Sequence, residues 1–132
     1  MMNHKMALTL KRWHEFVESH DGQILSKIIS DDAKFYSPFV WKPKNKADSL
    51  VILATVVEVF EDFRYTREMT GVNSCGLEFA ARIGDVSLEG IDLIEFDEIG
   101  RIIEFKVMIR PANALAALGA KMSQKLAEKG FS

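Results

Sequence analysis

The residue best placed to do chemistry in this sequence is Asp92. It lies inside "GIDLIEFDEIGRI", Gly90 to Ile102, a run that otherwise reads as a buried strand. Ile94 and Phe96 share its face by alternation, and desolvation by such neighbours raises a carboxyl pKa and favours the neutral form that donates a hydrogen bond. The alternative is a structural acid with a basic partner. Arg110, at the end of the last apolar alternation, would either hold Asp92 ionised or anchor an anionic substrate, and Arg64 and Arg82 in neighbouring strands admit the same reading.

Other polar residues offer less. His14 is a candidate base because imidazole titrates near neutrality, though a histidine flanking a helix is commonly a surface residue. Beside it, Trp13 can donate a hydrogen bond through its indole N–H but cannot act as a strong acid. Tyr36 and Ser37 either hydrogen-bond a ligand or order the turn around Pro38.

Cys75 is the only cysteine, which excludes an intrachain disulfide and a multi-cysteine zinc site and fits a reducing compartment. His4, His14 and His20 form no HxxxH or HxH pair, and the Asp-Asp of "SDDA" reads as a cap or loop flank. No glycine-rich phosphate loop follows a strand. Neither a metal nor a cofactor is therefore expected.

The elements that must position these residues are read from the hydrophobic period. Met6, Leu10, Trp13 and Val17 recur at helical spacing and predict a helix over 3–19, and Ile24, Leu25, Ile28 and Ile29 predict a short second one over 22–30. Pro38 and Pro43 break the pattern across "SDDAKFYSPFVWKP". "ADSLVILATVVEVFEDF" is apolar nearly all round and rich in β-branched residues. Its length without a turn signal favours a helix, one that must be covered on most sides.

From Phe63 the period is close to two. "FRYTREMT", "GLEFAARIG", "VSLEGIDLIEF" and "RIIEFKVMIR", separated by turn signals, predict four antiparallel strands in a meander. In the last, Ile103, Phe105, Val107 and Ile109 share one face and Lys106, Met108 and Arg110 the other. A closing helix is expected over 112–128, with Leu115, Leu118, Met122 and Leu126 as its stripe and Gly130 as its stop. The order of elements predicts one α+β domain over residues 1–132, a curved antiparallel sheet wrapped around N-terminal helices with an additional C-terminal helix and an interior pocket.

Composition bounds the function. With a formal net charge of -2, no overall field attracts nucleic acid or an anionic membrane, and the basic run "WKPKNK" reads as a solvated loop. No apolar run approaches the roughly 20 residues that span a bilayer, and the N-terminus lacks the apolar core of a secretory signal, so a cytoplasmic location is the default expectation.

Two segments carry a resemblance. "IISDDAKFYSP" and "IDLIEFDEIGRIIEF" resemble the nuclear transport factor 2-like superfamily, and within it the ketosteroid isomerase and SnoaL-like polyketide cyclase branch. The resemblance implies a cone-shaped α+β (cystatin-like) fold, an apolar pocket for an apolar or amphipathic small molecule, and a homodimer packed through the outer face of the sheet, where Ile91 and Leu93 point. It gives Asp92 the role that the matching acid has in the isomerases, a protonated carboxyl group that donates a hydrogen bond to the enolate oxygen. Beside that acid, the residues themselves offer Trp13, Tyr36, Ser37, Phe96 and Arg110 as candidate ligand contacts and His14 as the candidate for moving a proton.

Two family positions depart from the isomerase pattern. Ser37 stands where the isomerases have their general base, and Trp13 where they have a tyrosine. Serine is protonated at working pH and has no useful basicity toward carbon, so steroid isomerisation by the familiar mechanism is disfavoured. The resemblance thus implies either a cofactor-free isomerase, cyclase or dehydratase, or a non-catalytic binding or dimerisation module. The C-terminal helix is longer than the isomerase tail, and either closes the pocket or extends the dimer.

Overall fold

The structure is a computed structural model that describes residues 2–131. Helix α1 (His4–Ser19) starts where the Asn3 side chain accepts the Met6 N–H at 3.0 Å, and ends at His20, whose left-handed backbone turns the chain. Helix α2 (Gly22–Ile28) is capped by Asp21. Helix α3 (Lys46–Val59) is capped by Asn45, which accepts the Asp48 N–H at 2.9 Å. The hydroxyls of buried Ser49 and Thr55 donate to backbone carbonyls one turn back, so neither is left unpaired in the apolar helix.

Five strands form one mixed sheet: β1 (Ile29–Tyr36), β2 (Glu61–Thr70), β3 (Ser74–Ile83), β4 (Val86–Phe96) and β5 (Ile102–Arg110), in the order β1-β5-β4-β3-β2. Strand β1 runs parallel to β5 and the other pairs are antiparallel. The expected helix over 22–30 is thus cut short at Ile28, and "ISDDAKFY" is an edge strand. Its signal was hidden because Ile28 and Ile29 continue the helical spacing, while Asp31 and Asp32 sit in an irregular stretch of the pairing that leaves both exposed. The expected four-strand meander stands, with a fifth strand added in parallel.

Register shifts in three of the four strand pairs bend the sheet. Gly90 contributes: a Cβ there would fall within the Phe79 ring and 2.8 Å from the Met108 carbonyl, so only glycine lets that ring lie across β4. Helix α4 (Ala112–Glu128) follows Pro111 and crosses the concave side. Apolar packing divides into two clusters. One gathers α1, α2 and β1 around Trp13, Phe16, Leu25 and Phe105, and the other gathers α4 around Phe79, Leu88, Leu118 and Met122. Ile52, Val56, Tyr65 and Val107 touch both clusters. The seam between them is open.

Candidate functional site

That seam is a cavity of about 930 Å³, within the size range of small-molecule sites. The alternation of β5 turns Phe105, Val107 and Ile109 into it, while α3 contributes Ile52, Leu53 and Val56. Leu118, Met122 and Leu126 of α4, followed by Phe131, close another side. Lys129 fixes this closure by donating to the Thr55 hydroxyl at 2.9 Å and to Glu58 at 3.0 Å. The C-terminal helix therefore closes the pocket.

Asp92 lies on this apolar wall, 5% exposed. The Tyr65 hydroxyl donates to its Oδ2 at 2.8 Å, and the Trp13 indole N–H donates to the Tyr65 oxygen at 2.8 Å. Three elements far apart in sequence, α1, β2 and β4, thus meet in one chain of hydrogen bonds. Among the described residues no protein group bonds the other carboxyl oxygen, Oδ1.

The electrostatics follow from burial. Desolvation pushes Asp92 from its ordinary 3.8 up to about 7, opposed in part by the Tyr65 hydrogen bond, which favours the carboxylate. Burial, then the Asp92 charge, holds Tyr65 well above the usual phenol range, so it remains a donor at any working pH. Neutral Asp92 can donate from a carboxyl oxygen into the cavity while Tyr65 holds the other. Cys75, on β3 opposite Ile94, is buried and pushed up to about 12, chiefly by desolvation, which leaves the thiol protonated.

The structure brings Asp92, Trp13 and Ser37 to the cavity and leaves the other candidates outside its wall. His14 turns away toward Glu68, 3.4 Å distant, and meets Tyr65 only ring edge to ring face, with centroids 5.2 Å apart. Arg110 faces outward and pairs with Glu89 at 2.6 Å, so it is not the partner of Asp92. Arg82 is likewise engaged, by Glu61 and Asp62. Phe96 is buried in the core beyond the cavity, and Tyr36 lies on the outer side under Lys106. Ser37 lines the cavity, and its hydroxyl oxygen accepts the N–H groups of Phe39 and Val40 at 3.2 and 3.3 Å.

Tyr65 was the residue sequence reasoning missed. The available signal was its place in "FRYTREMT" two positions from Phe63, on the face that alternation turns inward with it. What alternation could not supply was the register that sets β2 beside β3, and so beside Asp92.

A curved five-stranded sheet folded over helices, with an acid at the wall of an apolar cavity, defines a class of cone-shaped pocket proteins. Superposition finds the same fold in solved structures. A steroid delta-isomerase from Pseudomonas aeruginosa is 42% identical, with 97% of this chain and 96% of that one covered and a TM-score of 0.93. An uncharacterised bacterial protein of cystatin-like fold from Silicibacter pomeroyi is 30% identical over 94% of this chain and 89% of that one, with a TM-score of 0.86. A putative SnoaL-like polyketide cyclase from a Jannaschia species shares the fold at 8% identity, covering 89% of this chain and 96% of that one with a TM-score of 0.68. No protein-family model and no curated protein sequence matches the chain. The chain belongs to the nuclear transport factor 2-like superfamily.

Proposed function

We propose that this protein binds an apolar or amphipathic small molecule in its cavity and holds a carbonyl or enolate oxygen of that molecule against neutral Asp92. The observation that carries the reading is the buried carboxyl group whose Oδ2 is held by Tyr65, with Trp13 behind it, on a largely apolar wall. A donor fixed in such a site stabilises developing negative charge on oxygen, which is what cofactor-free isomerase, cyclase and dehydratase chemistry requires. The 42% identity to a protein named a steroid delta-isomerase supports the same class of chemistry.

Ser37 favours a second reading, binding without turnover. Its hydroxyl is occupied by two backbone N–H groups, and a hydroxyl cannot take a proton from carbon at neutral pH. The test common to both readings uses a phenol acidic enough to be ionised throughout. At about pH 6 its affinity for the Asp92→Asn protein is expected to fall at least about tenfold below wild type, since the acidic carboxyl O–H that donates to the phenolate oxygen is replaced by a far less acidic amide N–H, a weaker donor to the same anion. Equal affinity would contradict the reading.

The outer face of the sheet supports a homodimer. Met69, Ile91 and Leu93 pack over Gly76, whose missing side chain leaves a shallow hollow, and Met108 lies opposite Ile91. Sedimentation at micromolar concentration is expected to show a dimer that Leu93→Glu disrupts. A wild-type monomer would overturn this assignment.

A further inference from the structure

Between β1 and α3 the chain makes a loop built to hold apolar side chains in water. Phe35 and Lys44 exchange two backbone hydrogen bonds, 2.9 and 2.8 Å, that close its base. Ser37 braces the ascending side through its bonds to Phe39 and Val40, and Pro38 and Pro43 fix the backbone on either side of the tip. The tip is Phe39–Val40–Trp41. Phe39 and Val40 are 44% and 46% exposed, and Trp41 is 97% exposed, so no other side chain packs on it.

The charge carried by the loop itself has one sign. From Ala33 to Ala47 the chain carries Lys34, Lys42, Lys44 and Lys46 and no acid. Lys46 is held by Asp31 at 3.2 Å, whereas among the described residues Lys42 and Lys44 have no salt-bridge partner. Phe39, Val40 and Lys44 also line the cavity, which places the tip on the rim of its opening.

We propose that this loop docks the protein on an anionic phospholipid surface, with Trp41 at the level of the headgroups and Lys42 and Lys44 on their phosphates. A tip of three residues braced at its base offers little surface on which a helix or strand of another protein could lie. An indole flanked by lysines instead suits a bilayer interface, where the ring is half in hydrocarbon and the ammonium groups meet anionic lipid. No helix among the described residues is long and apolar enough to cross a membrane, so the contact is adsorption rather than insertion. The rim position sets the cavity mouth toward the lipid, from which an apolar molecule would pass without crossing water. The docking claim is independent of what the cavity binds, and its failure would leave the role of Asp92 standing.

The test is co-sedimentation of the full chain with phosphatidylcholine vesicles containing about one-third phosphatidylglycerol, at low salt. Wild type is expected to bind these and to bind pure phosphatidylcholine at least about fivefold more weakly. Trp41→Ala is expected to weaken binding to the mixed vesicles about tenfold, and Lys42→Glu with Lys44→Glu to remove the preference for anionic lipid. Because Trp41 is almost wholly exposed, its replacement leaves the fold intact. Wild-type protein that stays in the supernatant, or binding that Trp41→Ala leaves unchanged, would overturn the proposal. So would an emission change of Trp41 that follows protein concentration without lipid, since a second copy would then occupy the tip.

Discussion

On the outer face of β4, Glu89 lies opposite Arg110 and the two form an exposed ion pair at 2.6 Å. A short way along the same strand the pleat turns Asp92 inward, where its hydrogen-bond partner is a phenol rather than a cation. Outside, the carboxyl group sits in water beside a guanidinium. Inside, desolvation raises the pKa to about 7, so that the acid exchanges its proton near neutrality. Partial burial acts on the outer face too: desolvation, then Glu95 opposite it, raises the pKa of Glu104. The lesson is that the face of the strand, and not the residue type, decides whether a carboxyl group here is structural or chemical.

The largest effect is expected from placing a second carboxyl group on the inner face. Ser37→Asp would supply the missing base in the cavity, and an aspartate can accept the same turn N–H groups as the serine. Turnover of an enolisable enone should rise by about 10² to 10⁴, and the gain should vanish when Asp92→Asn is added. No gain in the single variant would mean that Asp92 does not serve an enolate in this cavity.

A smaller effect separates the two faces by stability. The folded-state pKa of Asp92 lies above its unfolded value, so the native protein holds the proton more tightly. The contribution of Asp92 to stability is then fully present below about pH 4 and is lost as pH rises to about 7, by roughly 4 kcal/mol in all. Asp92→Asn removes the ionisation, and should be more stable than wild type at about pH 8 by about 1 to 3 kcal/mol, because the amide still carries the cost of a buried polar group. That gain should reverse to a deficit of about 1 to 3 kcal/mol at about pH 4, where the wild-type acid is neutral, as urea unfolding at the two pH values would show. Arg110→Ala, which breaks the exposed pair on the other face, should change stability by less than about 1 kcal/mol at either pH. A larger loss for Arg110→Ala than the shift at Asp92 would erase the distinction between the faces.

Much of this was legible in the sequence. Helices α1, α3 and α4 and strands β2 to β5 follow from period and punctuation, because each has one face or its whole surface to bury. Strand β1 was not legible: an edge strand with two exposed acids at an irregularity shows neither alternation nor an apolar run. The face on which Asp92 points was readable from Ile94 and Phe96, but its partner was not. Arg110 was the candidate at the end of the neighbouring strand, and the register instead sets it against Glu89, while Tyr65 arrives from the far edge of the sheet. His14 was proposed for its chemistry. One position along a helix turns a side chain by about 100°, enough to put Trp13 inside and His14 outside.

The most direct measurement is the affinity of the fully ionised phenol across about pH 5 to about 9, in wild type and in Asp92→Asn. The account predicts tight binding to wild type at the acid end that weakens through about pH 7, as Asp92 loses its proton and repels the phenolate, and a weaker, flat profile for Asp92→Asn. A wild-type profile that is flat across this range, or one that the Asn variant reproduces, would contradict the claim that neutral Asp92 is the donor in this cavity.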